Sequence, residues 1–452
     1  MNIKSKIKKL IPERLISFYH LTLAASAAFY CGFPSKNMIV IGITGTKGKT
    51  SAANFIWSVL TAGGYKTGLI GTANIRIGDT HMLNKYHMTM PGRFILQKTL
   101  KQMLKAGCKF AVVETTSEGI KQWRHYGIFY DVAIFTNLTP EHLEAHGGDF
   151  LKYKEAKGRL FASLKNSYRK IIGEREVKKT IIANSDNQHS NYYLSFWADK
   201  KITYGLESMA DVIATDIKNT PNGLEFSVGG ENFKTNILGK FNMYNALPAF
   251  VIGKIFNIPY NKIQEGFTNL KIIPGRMEKI DEGQNFLVFV DYAHEKEGMN
   301  AVLDTARDLV SENGGPPAMP THAGRAGRVI VLLGAEGGGR DKAKRPVLGE
   351  IAAKKADFIV VSNVDPYEDD PREICEDIAV SVEKFGKTRN KDLFVIEDRR
   401  EGIKKALSLA DQNDVVLITG KGSEQSIVIG GKRYPWDDRT VVREELNQFF
   451  KN

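Results

Sequence analysis

Along the chain, short uninterrupted apolar runs alternate with longer stretches whose apolar residues recur at helical spacing. That is the pattern of a mostly parallel sheet buried on both faces by helices. Met38-Ile-Val-Ile-Gly-Ile43 predicts the first strand, and Thr50 to Leu60 the helix after it. Lys109-Phe-Ala-Val-Val113 and Val132-Ala-Ile-Phe135 predict two more buried strands, each followed by polar, chemically capable residues. In an open sheet the site lies at the carboxyl ends of the strands, so Glu114 and Asn137 are well placed. Residues 200 to 238 change to short alternating runs such as Leu224-Glu-Phe-Ser-Val228 between Gly and Asn turns, which predicts a small antiparallel insert. Near Lys271-Ile-Ile-Pro274 a second alternating unit begins, with strands predicted at Phe286 to Val290, Val329 to Leu333, Phe358 to Val361 and Val415 to Ile418. Ser311 to Pro320 is too rich in Gly and Pro for regular structure and predicts an exposed loop. The expected organisation is an N-terminal helical segment (1–37), a central unit (38–272) and a C-terminal α/β unit (273–452).

The N-terminal segment admits several readings. Lys4, Lys6, Lys8, Lys9 and Arg14 lead into the apolar stretch Leu15 to Phe33, which Pro34 ends. A basic start with an apolar run resembles a signal peptide or an anchor. The run contains His20 and several Ser, Thr and Ala residues, which is weak for a span of about 20 residues. A helix packed on the body or lying on a membrane face through residues 1–33, a core helix, and a true span all stay open.

Composition narrows the class. The chain has 452 residues, and at roughly 150 per domain that suggests about three domains. Apolar residues make up 42% and charged residues 25%, which excludes disordered, collagenous and disulfide-scaffold classes. The formal charge of +12 suits an anionic partner without separating nucleic acid, membrane and phosphorylated substrate. No basic stripe interleaved with aromatic residues and no nucleic-acid motif is present, so a nucleic-acid partner is not expected. Cys31, Cys108 and Cys375 are far apart and match no metal-ligand spacing, which favours a reducing, cytoplasmic setting.

Gly42-Ile-Thr-Gly45-Thr46-Lys47-Gly48-Lys49-Thr50-Ser51 sits between a predicted strand and a predicted helix, the context in which a phosphate-binding loop is credible. Its glycines let backbone N–H groups turn toward phosphate oxygens, and the helix N-terminus adds partial positive charge. Lys49 would reach the β and γ phosphates of ATP, and Thr50 would offer its hydroxyl to Mg²⁺. Gly45 and Gly48 are closer together than in the usual G-x-x-x-x-G-K-[ST].

The shortened form, T-G-T-x-G-K-[TS], resembles the Mur ligase family, which includes the folylpolyglutamate synthases. Further elements follow in family order. Glu114-Thr-Thr-Ser117-Glu-Gly119 is similar to E-V-S-S-H-G, Thr136-Asn137-Leu-Thr-Pro-Glu141-His142-Leu to T-N-[LI]-x-x-[DE]-H-L, and Tyr153-Lys-Glu-Ala156-Lys157 to the start of Y-x-x-A-K-x-x-L-F. Gly239-Lys-Phe241-Asn242-Met-Tyr-Asn245 resembles G-x-F-N-x-x-N, Gly275-Arg276-Met277-Glu278 the G-R-M-E junction, and Asp291-Tyr-Ala-His294 the D-Y-A-H strand end. Gly339-Arg340-Asp341, Asp365-Pro366 and Gly420-Lys-Gly-Ser-Glu424 complete the series, which is most similar to the MurE type, the tripeptide synthetases.

The resemblance implies an α/β fold, with a central phosphate-loop ATPase domain and a C-terminal Rossmann-like domain hinged near residue 272. It also implies an ADP-forming ligase that makes an amide through an acyl phosphate, in peptidoglycan precursor synthesis. Gly45, Thr46, Lys47, Gly48, Lys49, Thr50 and Ser51 would hold the phosphates of ATP. Asn245 would contact adenine, and Arg276, Asp291 and His294 would close over ribose and phosphates. Thr50 and Glu114 would hold a first Mg²⁺ and His142 a second. Lys157 lies in a segment with four basic residues that reads, from the residues alone, as a solvated helix face. The resemblance implies instead that it is carbamylated by CO₂ and helps hold the second metal, which needs a buried amine of depressed pKa. Ser117, Gln122, Arg124 and Thr89 match contact positions for the muramoyl peptide, while Met88 and Met90 beside Thr89 could equally be core. Arg340, Asp365, Gly420 and Glu424 fall among the substrate-binding positions.

Two departures matter. Only 41 residues precede Gly42, where the MurE pattern has a uridine-binding domain, so the acceptor could be UDP-linked or lipid-linked. Relatives that polyglutamylate folate or amidate a lipid-linked precursor mark the alternative. Diaminopimelate enzymes carry D-N-P-R, whereas here the stretch is Val364-Asp365-Pro366-Tyr367. Without that arginine, and with Asp365 suited to an ammonium, L-lysine or another amine-bearing amino acid is expected over diaminopimelate. The partners are thus a muramoyl peptide and a free amino acid, on a protein expected to be a monomer.

Overall fold

The structure is a computed structural model that describes residues 12–449 except 87, 142, 173–174, 208, 221 and 312–326. The chain divides into two compact units. The first comprises Met1–Thr215, Val228–Glu231 and Tyr244–Asn269, and the second Asp216–Ser227, Asn232–Met243 and Leu270–Asn452.

In the first unit, strand Ile39–Thr44 is central, between the parallel strands Phe110–Glu114 and Val132–Phe135. Thr67–Ile70 continues the parallel order on one side, and Thr180–Asn184 and Lys200–Gly205 on the other. Asn74–Ile77 and Thr80–Leu83 finish one edge as an antiparallel meander. All six residues of Ile39–Thr44 are buried, which explains its unbroken apolar run. Neighbouring strands lie on both sides of it in the order that makes a crevice at their carboxyl ends. Strand Phe110–Glu114 runs one residue past its apolar stretch, because Ile43 still pairs with Glu114 in the ladder.

Two expectations need correction. Lys200–Gly205 is parallel to Thr180–Asn184, and Val212–Thr220 begins parallel to Lys200–Gly205, so the first two strands of the predicted antiparallel insert continue the main sheet in parallel. The N-terminal helix Glu13–Cys31 is ended by Gly32, whose left-handed φ of 76° turns its N–H back to the Ala28 and Phe29 carbonyls; Pro34 begins a separate 3₁₀ turn. That helix packs on the first unit against helix Arg93–Lys105, burying Ala24, Ala27, Ala28 and Cys31. Among the described residues no helix is long and apolar enough to cross a membrane. The loop predicted from Ser311 lies, after that residue, outside the described residues.

The second unit contains a six-stranded sheet in the order Glu278–Ile280, Leu287–Asp291, Val415–Thr419, Val329–Leu333, Phe358–Val361, Leu393–Val395. The first pair is antiparallel and the others are parallel. Val329, Val331 and Leu333 pack with helices Lys296–Val310, Lys344–Lys355 and Pro371–Lys384. Ile330 and Leu332 pack on the opposite face with Arg399–Ser408 and Asp438–Phe449. Both faces of the central strands are covered, the three-layer α/β arrangement expected of a Rossmann-like domain.

Candidate active site

The loop from Gly45 to Gly48 leaves the carboxyl end of the central strand and enters helix Lys49–Ala62 through Gly48, at a left-handed φ of 80°. A side chain at Gly45 would fall on Thr136 Oγ1, and one at Gly48 on Asn245 Oδ1, so both positions require glycine. Asn137 clamps the loop from beside it: its carbonyl accepts from Thr46 N–H (2.9 Å) and its Oδ1 from Lys47 N–H (2.8 Å). Thr136 Oγ1 donates to the Lys47 carbonyl (2.7 Å), and the Lys47 ammonium pairs with Glu141 (2.7 Å). Lys47 therefore has a structural partner in the same T-N-L-T-P-E segment. Ser51 is buried in the first turn of the helix.

Lys49 Nζ is folded back onto the Gly45 and Thr46 carbonyls, at 2.8 and 2.9 Å. Lys157 Nζ reaches the same Gly45 carbonyl at 2.9 Å and lies over the Tyr153 ring. Lys157 is only 2% exposed, which corrects the solvated-face reading. The basic neighbours in helix Phe150–Ala162 point elsewhere, while Tyr153, Ala156, Lys157, Leu160 and Phe161 form its inward stripe. Burial, then the nearby Lys49 cation, hold the Lys157 amine well below the ordinary lysine range. Tyr153 steadies the arrangement through a hydroxyl–hydroxyl hydrogen bond to Thr46 (3.1 Å).

Glu114 is fully buried. Its carboxylate accepts from Thr50 Oγ1 (3.0 Å), Thr72 N–H (2.8 Å) and Thr72 Oγ1 (3.0 Å), and Thr72 in turn bonds Thr89 (2.9 Å). The structure thus brings Thr50, Glu114 and Thr89 into one chain of hydrogen bonds. A threonine hydroxyl beside a buried carboxylate is an oxygen-only donor set of the kind Mg²⁺ takes, with water filling its other positions. Among the described residues no three His, Cys, Asp or Glu side chains group as a metal cage, and His142 lies outside those residues.

Ser117 is buried at the start of helix Ser117–Lys121, which Thr116 caps. Gln122 Nε2 donates to Glu118 (2.9 Å), and Arg124 donates to Gln122 Oε1 (2.7 Å) and to the Met90 carbonyl. Glu118 thus orients the Gln122–Arg124 pair. Met90 is core, whereas Met88 is exposed and touches Arg124 through its sulfur.

The second unit gathers its own predicted residues. Gly275 sits at a φ of 62° against the backbone of Gly422 and Ser423, and Arg276 lies over the Tyr292 ring at 4.4 Å. Asp291 accepts from Met277 and Ala293 N–H, both at 2.7 Å, so its carboxylate shapes the G-R-M-E and D-Y-A-H turns. His294 meets the Tyr292 carbonyl at 2.6 Å. Arg340 lies beside Tyr367. Asp365 requires a correction: its carboxylate was expected to meet a substrate ammonium, yet Lys421 Nζ, fully buried, already donates to it at 2.8 Å and to Glu424 at 2.5 Å. The chain supplies that ammonium itself, and Asp365 Oδ1 accepts from Val428 N–H (2.7 Å). Gly420, with a φ of 110°, lets the chain turn between these groups. Glu336, ion-paired with Lys344 beside His294, was missed. Against its burial, His294 and Lys344 hold the Glu336 carboxyl down at about 2.

A strand-to-helix phosphate loop at the centre of a parallel sheet defines a nucleotide-binding α/β protein. Residues 43–253 match the Mur ligase middle domain, and residues 275–422 the glutamate ligase domain of the Mur ligases. The UDP-N-acetylmuramoyl-L-alanyl-D-glutamate–2,6-diaminopimelate ligase of Geobacillus kaustophilus is 36% identical over 97% of this chain and 85% of its own. A solved structure of a ligase bearing that same description aligns with a TM-score of 0.60 and 28% identity, over 92% of this chain and 79% of that one. Mycobacterium tuberculosis folylpolyglutamate synthase, solved with ADP, shares the fold at 18% identity, with a TM-score of 0.67 over 96% and 94% of the two chains. The chain belongs to the Mur ligase family and is an ATP-dependent, Mg²⁺-using ligase.

Proposed function

We propose that the chain joins a free amino acid to the carboxylate of a muramoyl peptide during peptidoglycan precursor synthesis, with residues 38–272 as the ATP-binding domain and 273–452 as its partner domain. The observation that carries this reading is the buried cluster at the loop, where Lys49 and Lys157 both meet the Gly45 carbonyl and Glu114 stands beside Thr50. The acceptor carboxylate attacks the γ-phosphorus, ADP leaves, and the amine of the amino acid then displaces phosphate from the acyl phosphate. Both reactants of the first step are anions, so the chain must supply positive charge where they meet. Lys49, released from its loop carbonyls, neutralises the phosphates, and the backbone N–H groups of Gly45 to Ser51 cradle them. Mg²⁺, held by Thr50 and Glu114, supplies further charge neutralisation when bound. Lys157, as a carbamate, and His142 would hold a second ion. Asn245, against the loop at Gly48, is assigned to adenine, and Arg276, Asp291 and His294 to ribose and phosphates. Thr89, Ser117, Gln122 and Arg124 bind the acceptor, with the Arg124 guanidinium facing its carboxylate or phosphate. Arg340, Gly420 and Glu424 form the amino-acid end, with Asp365 holding Lys421 beside them.

The finer reading is that the amino acid is L-lysine or another plain amine-bearing residue. Its support is Tyr367, a neutral phenol where the diaminopimelate signature has arginine; Asp365, being paired, no longer contributes. A second reading, diaminopimelate, is favoured by the described activity of the Geobacillus kaustophilus relative. A panel assay of phosphate release and product mass separates them, with UDP-linked and lipid-linked muramoyl dipeptide and a folate as acceptors. The expected result is a muramoyl tripeptide, with lysine preferred in kcat/KM by roughly tenfold or more, the worth of one unmatched charge contact. Faster diaminopimelate transfer would hand the choice to the second reading. Turnover with the folate alone would overturn the muramoyl assignment.

A further inference from the structure

Helix Glu13–Cys31 has two unlike faces. Its inner face is committed to the first unit: Trp123 Nε1 donates to Ser17 Oγ (2.8 Å), Arg93 meets the His20 ring (2.5 Å), and Ala24, Ala27, Ala28 and Cys31 are buried. The outer face is formed by Leu15, Phe18, Tyr19, Thr22, Ser26, Phe29 and Tyr30, all exposed and none charged. Phe18 is 64% and Phe29 79% exposed. The solvent face of a packed helix is ordinarily charged. A continuous aromatic one marks an interaction surface. Phe94 extends it, with its exposed ring edge-on to Tyr30 at 6.4 Å between centroids.

Cations frame this surface. Helix Arg93–Lys105, which carries Phe94, contributes Lys98, Lys101 and Lys105 at helical spacing from Phe94 and has no acidic residue. Arg14 is exposed at the start of the N-terminal helix, and the adjoining sequence supplies Lys4, Lys6, Lys8 and Lys9 without an acid. The one acid of that helix, Glu13, is paired with Lys121 (2.9 Å). We propose that this face seats on an anionic lipid bilayer, with the aromatic rings at headgroup depth and the lysines at the level of the lipid phosphates. A second copy of the chain fits less well, because a two-fold contact would bring the same cations together. The inner face stays on the protein, so the helix lies along the surface. None of this depends on the reaction assigned above.

The test is co-sedimentation of the full chain with vesicles of phosphatidylcholine alone or mixed with phosphatidylglycerol, at low and high salt. The expected result is binding to the phosphatidylglycerol vesicles that is roughly tenfold tighter or more and falls with salt. The double variant Phe18→Ser/Phe29→Ser should lose about tenfold in that binding. Its melting temperature and its turnover without lipid should stay unchanged. Equal, weak binding to both vesicle types would overturn the proposal. So would a dimer in light scattering that the double variant abolishes.

Discussion

Lys157→Ala is expected to lower turnover roughly a thousandfold, about the loss seen when a preorganised charge-stabilising group is removed from a site. Far-UV circular dichroism should be unchanged, because the lost group is the end of one side chain whose acceptor, the Gly45 carbonyl, keeps Lys49. The effect follows from where the amine sits. A buried lysine that kept its proton would stand beside the Lys49 cation, with a backbone carbonyl, the face of Tyr153 and the weaker pull of Glu141 for support. Such a pair is costly in a medium of low polarity. Loss of the proton relieves it and leaves a nucleophilic amine able to take up CO₂. The carbamate so formed is an anion, matched by Lys49 and by a bound cation. If this is the working form, acetate or propionate should restore part of the activity of Lys157→Ala, and ethylammonium should restore none. Rescue by the ammonium alone would show that the lysine works as a cation. Steady-state phosphate release across a series of added acids and amines decides between the two.

The second large effect is expected at Glu114. Glu114→Gln keeps the volume and replaces one carboxylate oxygen by a donor NH₂ group, which would face the hydroxyls of Thr50 and Thr72. The charge that favours a divalent cation is lost, and a hydrogen bond becomes a donor–donor clash unless a hydroxyl rotates. Binding of Mn²⁺, followed by electron paramagnetic resonance as a stand-in for Mg²⁺, should weaken roughly 10–100-fold. kcat/KM should fall at least as far, and excess Mg²⁺ should recover part of it. Unaltered Mn²⁺ binding would remove Glu114 from the metal site and leave it as the residue that ties Thr72 to the phosphate-loop helix.

Much of this was legible before any coordinates. The strands Val132–Phe135, Val329–Leu333 and Phe358–Val361 coincide with their apolar runs, because a strand covered on both faces has no polar side to blur the signal. The carboxyl-terminal residues of other strands were harder. Glu114, Asp291 and Thr419 are in the ladder, pairing with Ile43 and with each other, although hydropathy stops before them. Two of these polar last residues, Glu114 and Asp291, belong to the proposed site. Lys157 shows the limit of local composition, since four cations in one segment hide which one faces inward. Periodicity could have found it: Tyr153, Ala156, Leu160 and Phe161 bracket it on one helical stripe. Lys421 could not be found that way, because Asp365, one of its partners, comes from a distant part of the sequence. The buried trio Asp131, Lys170 and Lys179 was invisible for the same reason. Its ion pairs at 2.5 and 2.8 Å join the start of one strand to the segment that precedes another.

The central claim is that an acceptor carboxylate is activated by transfer of the γ-phosphate of ATP. An acceptor whose terminal carboxylates carry ¹⁸O tests it most directly. Attack by that carboxylate on phosphorus, followed by displacement by the amine, must carry one labelled oxygen into the phosphate released with each amide formed. The expected mass spectrum is inorganic phosphate with a single ¹⁸O per turnover, together with ADP and the extended peptide. Phosphate without label, accompanied by amide product, would contradict the account, because the carboxylate oxygen would then have left by another route.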